Sequence, residues 1–207
     1  MPLQNRVLPT GEIVAIPDRG LFVGNRGIIH DPATRTIQKR RWSTNAWIAC
    51  VLEFKGRRRK VWQRQSWTEL FFLDEATAFA AGHRPCFYCR REDAKRFRAA
   101  WEKGNRKHDV RAPDMDAALH RERFASAKTP HRLPMALNKL PDGTMVKAGE
   151  ASFLIAKGRV HLWSPSGYRK VDGAIRDAKL LTPPSTVRAF AAGYRPVLHP
   201  SAGKLLG

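Results

Sequence analysis

Cys86 and Cys89 stand two residues apart in the run Gly82-His83-Arg84-Pro85-Cys86-Phe87-Tyr88-Cys89-Arg90-Arg91. A Cys-x-x-Cys turn aims both sulfurs at one centre, which is how a zinc knuckle supplies half of a tetrahedral site. The third cysteine of the chain, Cys50, lies in the β-rich run Trp47-Ile48-Ala49-Cys50-Val51-Leu52-Glu53-Phe54. Its strand could fold back over the knuckle and bring a third thiolate. The other reading makes Cys50 a small buried hydrophobe, with Ile48 and Leu52 marking the inward face. A structural zinc takes four ligands. His30 and His83 are equal candidates for the fourth, ahead of His120 and His131.

A second polar group is Asp116-Ala117-Ala118-Leu119-His120-Arg121-Glu122-Arg123. Asp116 and His120 are four apart and share a helix face, a spacing that supports metal ligation or a proton relay. In a metal-dependent nuclease His120 would activate water, Asp116 or Glu122 would hold a metal, and Arg121 or Arg123 would steady phosphate. The competing reading is a solvated helix with local ion pairs. His-Arg-Glu with Pro-Cys-x-x-Cys also has the parts of a zinc deaminase, but the order is reversed, which argues against it.

The charge balance points to a partner. The chain has 38 Lys and Arg against 18 Asp and Glu, a net charge of +20. Self-repulsion at that charge opposes a compact state, and a polyanion relieves it. Nucleic acid is the usual one, because each neutralised phosphate releases counterions. The basic residues Arg57, Arg58, Arg59 and Lys60, with Arg84, Arg90 and Arg91, are the expected phosphate contacts. Trp42, Trp47, Trp62 and Trp67 lie near the basic clusters, where exposed rings could stack on unpaired bases. An odd cysteine count, a start without an apolar signal core and no apolar run long enough for a membrane span predict a cytoplasmic protein.

These residues need elements to position them. Residues 1–40 read as short strands broken by glycine and proline. Lys55-Gly56 is a turn signal, with a returning basic strand over residues 57–65. Leu70-Phe71-Phe72-Leu73 reads as a short buried strand, and Asp74 caps a helix that Gly82 stops. Helices are predicted over residues 92–103 and 113–125. Residues 151–155 and 160–163 form a hairpin across Lys157-Gly158, and Thr182-Pro183-Pro184 starts a final helix. Residues 78–85, Ala-Phe-Ala-Ala-Gly-His-Arg-Pro, recur as Ala-Phe-Ala-Ala-Gly-Tyr-Arg-Pro at 189–196. The echo reads either as a duplicated strand–helix–turn unit or as convergence on one helix terminus.

The segment Glu75-Ala76-Thr77-Ala78-Phe79-Ala80-Ala81-Gly82-His83-Arg84-Pro85-Cys86-Phe87-Tyr88-Cys89 resembles the zinc-binding module of Ada-type DNA alkylation-repair proteins. The likeness covers roughly residues 47–101. In that family four cysteines hold zinc and one accepts a methyl group from a DNA phosphotriester. The resemblance implies that Cys86 and Cys89 are the second pair of ligands, with Cys50 near the place of one of the first pair. The family's first Cys-x-x-x-Cys is absent, so the resemblance implies zinc-organised nucleic-acid binding rather than methyl transfer.

The expected architecture is α+β: a zinc-knuckle hairpin-and-helix module packed on a C-terminal β-rich unit, with a degenerate internal repeat. Residues 1–103 would form the module, 104–135 a basic linker and helix, and 136–207 the C-terminal unit. The expected function is zinc-dependent nucleic-acid binding, DNA rather than RNA, linked to DNA repair or processing. The alternatives are a nucleic-acid-modifying enzyme and a structural zinc module for protein interaction.

Overall fold

The chain, seen here as a computed structural model, is described over residues 1–58, 60–64, 66–171 and 173–206, without the side chains of Arg57, Arg58 and Leu206. Its first half holds β1 (Arg6–Val7), β2 (Ile13–Val14), β3 (Phe22–Asn25), β4 (His30–Asp31), β5 (Thr36–Ile37), β6 (Ile48–Val51), β7 (Glu53–Phe54), β8 (Arg57–Arg58) and β9 (Leu70–Phe72). Then come α1 (Glu75–Ala80), β10 (Arg84–Pro85), α2 (Arg91–Asn105) and α3 (Ala112–Lys128). The last third holds β11 (Met145–Ala148), β12 (Ala151–Ala156), β13 (Arg159–Ser164), β14 (Gly167–Lys170), β15 (Lys179–Leu180), α4 (Pro184–Ala191) and α5 (Pro200–Leu206). The fold is α+β, as the sequence pattern predicts.

One sheet runs β10-β6-β3-β9-β1-β2 and the other β14-β13-β12-β11-β15. Alternation along the first sheet sorts its side chains onto two faces. Phe22, Ala49, Leu70 and Phe72 pack with Ala78 and Ala81 at α1. Their neighbours Val23, Cys50 and Phe71 turn to the opposite face, where they meet Cys86. A one-residue register slip would therefore move Cys50 to the wrong side of the sheet.

Helix α1 is buried along its whole length. Ala78 packs on the first sheet, while Ala76 and Ala80 join Met145, Leu154 and Tyr168 of the second. Phe79 packs with Phe97, Phe190 and Tyr194. Three alanines let all these layers approach a six-residue helix, and its polar groups are satisfied internally. Asp74 caps it, accepting from the Thr77 amide at 2.9 Å and the Thr77 hydroxyl at 2.8 Å. The other Asp74 oxygen accepts from the Tyr168 hydroxyl at 2.8 Å and the His199 amide at 3.0 Å.

The echoed octapeptides build the same helix terminus twice. The Gly82 and His83 amides donate to the Phe79 and Ala78 carbonyls, and the Gly193 and Tyr194 amides donate to the Phe190 and Ala189 carbonyls. Both pairs make the Schellman arrangement, with glycine in the left-handed region at φ +82° and +116°. Beyond this terminus the copies diverge. Arg84–Pro85 continues as β10 beside β6, whereas no strand follows Tyr194 among the described residues. The preceding strands also differ: β9 is internal to its sheet, and β15 is an edge.

Candidate metal centre

The sulfurs of Cys50, Cys86 and Cys89 lie within 4.8 Å of one another. Two elements bring them together. β6 pairs with β3, placing Cys50 opposite Val23, and pairs in parallel with β10 on its other side. The Cys86 amide extends that second pairing by donating to the Ala49 carbonyl at 3.0 Å. The knuckle then closes with the Arg90 amide on the Cys86 carbonyl at 3.0 Å. The expected β-turn at Lys55-Gly56 is formed by β7 and β8, and among the described residues its return strand is Arg57–Arg58 rather than the whole of 57–65. Cys50 is thus positioned by β3 and β10 rather than by the basic hairpin.

Tetrahedral zinc with bonds near 2.3 Å sets its sulfurs roughly 3.8 Å apart, so the three thiols fit the donor chemistry and spacing of such a site. The Tyr88 amide donates to the Cys86 sulfur at 3.4 Å. The Cys86 thiol is pulled down by hydrogen bonds with Cys50 and Cys89, and then by the Cys89 and Tyr88 amides. Cys50 is pushed up, first by its hydrogen bonds to Cys86 and Cys89 and then by burial. The three thiols thus act on one another's protons. A divalent cation would replace those protons, since metal binding and deprotonation are coupled.

The fourth ligand does not come from either expected histidine. His30 is fully buried elsewhere, its ring nitrogens bonded to the Thr68 hydroxyl at 2.7 Å and the Gln63 carbonyl at 3.3 Å, and its ring stacked on Trp62. His83 lies between Trp47 and Phe72, on the α1 side of the sheet, and accepts from Arg26 Nε at 3.4 Å. Burial, followed by the charges of Arg26 and Arg123, holds His83 well below its ordinary pKa. Among the described residues the metal group has three members, and a cleft of about 200 Å³ opens beside it, walled by Leu52, Phe54, Trp67 and Tyr88. Tyr88 is 71% exposed and meets Phe54 edge-on at 5.1 Å, with the Lys55 ammonium 5.5 Å from the Phe54 ring.

Two of the basic residues expected to meet phosphate are buried in ion pairs. Arg84 is buried and forms a two-pronged pair with Asp116, both bonds at 2.8 Å. Arg90 is buried and donates to Glu75 at 2.6 Å and Asp93 at 2.8 Å. Glu75 also accepts from the Tyr194 hydroxyl and the Val197 amide, so the residue after the knuckle is tied to the C-terminal segment. Arg91 and Lys60 are exposed. Arg59, and the side chains of Arg57 and Arg58, lie outside the described residues.

The nuclease constellation comes apart on inspection. The Asp116 carboxylate is taken by Arg84, and the Glu122 carboxylate caps α4 through the Ser185 amide at 3.0 Å and hydroxyl at 2.7 Å. His120 faces Trp42 and Phe124 and bonds Arg123 at 3.1 Å. No two of the three converge on a shared ligand atom.

What the sequence leaves unmarked is a basic cavity around Trp47. The Arg26 and Arg123 guanidiniums lie 4.0 and 3.8 Å from its ring centre. Trp47 reads as core and is buried, but Arg26, between glycines in an irregular segment, carries no pattern of its own.

No protein-family model matches the chain, and no curated protein or solved structure is significantly similar to it.

Proposed function

We propose that Cys50, Cys86 and Cys89 hold a zinc ion that fastens the knuckle to β6, in a protein that binds nucleic acid through its basic surface. The observation that carries this reading is the convergence of three thiols from two distant segments, with a backbone amide donating to one sulfur. Two thiolate pairs would close a structural site, whereas three leave one position for solvent or a partner atom. When bound, zinc supplies a Lewis acid and neutralises the thiolates. Exposed Tyr88 beside Phe54 and Lys55 offers a stacking face at the edge of the centre, suited to an unpaired base.

The partner is DNA in preference to RNA, and the role lies in DNA repair or processing, on the likeness to the Ada-type zinc module. The excess of 38 basic over 18 acidic residues supports a polyanionic partner. The test begins with metal analysis of the purified full-length protein. One zinc per chain is expected, falling to well under half in Cys50→Ser. Absence of zinc from wild-type protein purified under reducing conditions and reconstituted with zinc would overturn the metal reading. Titrations with single-stranded DNA, duplex DNA and RNA over a salt series then test the partner. Affinity falling steeply with salt, tightest for DNA, is expected. Zinc without such binding would instead favour a structural metal in a protein-interaction module.

A further inference from the structure

We infer that the cavity around Arg26, Arg123 and Trp42 is a second site, one that binds a phosphate monoester carried on a nucleoside-sized body. The site lies on the α1 side of the sheet, away from the thiols, and is independent of the metal reading.

The cavity has a volume of about 600 Å³, within the range of small-molecule sites. Arg26 lines it and is only 2% exposed, with Nε on His83 and Nη2 without a hydrogen-bond partner. Nη2 lies opposite Gly11, another wall residue, from whose Cβ position it is 3.8 Å away. Arg123 lines the same space, and its Nε is also buried without a partner. Its other nitrogens meet the Gly82 and Asn45 carbonyls and the His120 ring, and the acidic charges acting on it, Asp116 and Glu122, are bonded to Arg84 and Ser185.

A guanidinium stays charged at any physiological pH, and a buried charge without a counter-ion is costly. Among the described residues Arg26 has no such counter-ion: burial, then the charges of Arg123 and Arg41, lower its pKa to about 9. Lys179 adds to the walls, as does Lys147, which is paired with exposed Glu150 at 3.3 Å, and Arg41 stands exposed at the rim. Two acids also line the cavity, but Glu122 is committed to Ser185, and Asp177 is on the solvent side. Low-dielectric walls carrying one sign of charge focus the field on an anion. A buried guanidinium with no acidic charge acting on it, beside further cations, suits a dianion better than a carboxylate, and the guanidinium fork matches phosphate oxygens.

The body of the ligand is set by the mouth. Trp42 and Phe124 line the cavity, are 37% and 42% exposed, and meet edge-on at 5.1 Å. They give an aromatic face at the rim, while Ala80, Ala81 and Leu181 give the interior an apolar lining. Phosphate on the arginines with a base against Trp42 accounts for both halves. The same chemistry is presented by a free nucleoside monophosphate and by the phosphorylated end of a strand.

Calorimetric titration of the full chain with inorganic phosphate, AMP, adenosine, and a single-stranded DNA decamer with and without a 5′-phosphate tests this. AMP should saturate one site, with adenosine at least about tenfold weaker, the size expected for lost hydrogen bonds to charged groups. Arg26→Gln and Arg41→Ala should each weaken AMP at least about fivefold. Arg41 is exposed, so its variant reports even if Arg26→Gln fails to fold. A phosphorylated decamer binding more tightly than AMP, by a margin lost without its phosphate, identifies a strand end as the source. AMP binding as tightly as the decamer identifies a free nucleotide. The inference is overturned if AMP shows no saturation at about 10 mM, if adenosine equals AMP, or if Arg41→Ala binds AMP like the wild type.

Discussion

Asp116→Ala removes one half of the buried pair that ties the knuckle strand to α3. Arg84 Nε and Nη2 meet the two Asp116 oxygens at 2.8 Å, and the side chains are 7% and 8% exposed. Taking away the carboxylate leaves a guanidinium inside the fold with, among the described residues, the Pro85 carbonyl and the Phe87 ring beside it. Breaking such a pair from one side costs about 3–5 kcal/mol. For a chain of this size that lowers Tm by roughly 6–20 °C. Glu92→Ala, at a pair with 49% and 74% exposed side chains, is the control and should cost no more than about 1 kcal/mol. Thermal unfolding followed by circular dichroism reads both. The double variant Arg84→Met/Asp116→Leu should recover most of the loss, because it removes both charges. The salt slope of DNA binding is the second readout: a phosphate contact changes it by about 0.9, and an internal pair leaves it alone. The reasoning fails if Asp116→Ala moves Tm by less than about 2 °C. It fails equally if Arg84→Gln lowers the slope by about one while Tm holds.

Gly82→Ala and Gly193→Ala should each cost about 1 kcal/mol for forcing alanine into the left-handed region, measured by chemical denaturation. Only the first should also weaken AMP binding, because its Cβ would lie 2.3 Å from Arg123 Cδ while Gly193 faces open space. Burial raises the Asp74 carboxyl above its ordinary 3.8 despite the opposing Thr77, His199 and Tyr168 bonds. The stability it contributes is therefore full below 3.8 and fades as pH rises through the folded value; Asp74→Asn should lose that part of the Tm–pH profile, and an unchanged profile would refute the assignment. Tyr88→Ala should weaken single-stranded DNA by about 1–3 kcal/mol if a base stacks there, with zinc content unchanged, as read by fluorescence anisotropy and metal analysis.

The elements legible in the sequence were those whose signals are local. Asp74 as a cap, Gly82 and Gly193 as stops, and the turn at Lys157-Gly158 depend on residues within one or two turns of chain. The likeness of the two octapeptides was legible for the same reason, since it encodes a helix terminus rather than a tertiary environment. Pairing partners were not. The returning basic strand is short because β6 is already occupied on both sides, by β3 and β10. Nothing in the run from Trp47 to Phe54 discloses that. Arg84 and Arg90 read as surface because charge is usually exposed, and only the fold brings Asp116 and Glu75 to them. His30 reads as a ligand by type, but Thr68 and Gln63, more than thirty residues away, hold both its nitrogens.

The buried pairs also sharpen what the net charge means. Arg84–Asp116 and Arg90–Glu75 remove equal numbers of each sign, so the excess of +20 is undiminished by them. It resides on the exposed surface and around Trp47, two environments with different dielectric response. Surface charges act through water and are screened within about 10 Å at 0.1 M salt. A guanidinium 2% exposed at the wall of a cavity is screened far less. The two proposed activities should therefore separate on one axis. Strand binding through the exterior should lose about 10³–10⁵ in affinity between 50 and 200 mM salt if 6–10 phosphates are neutralised. AMP binding in the cavity should lose less than about tenfold over the same range, because few counterions are released by one phosphate. Equal slopes for the two ligands would mean that AMP sits on the surface, and Arg26 would then be left as a purely structural cation.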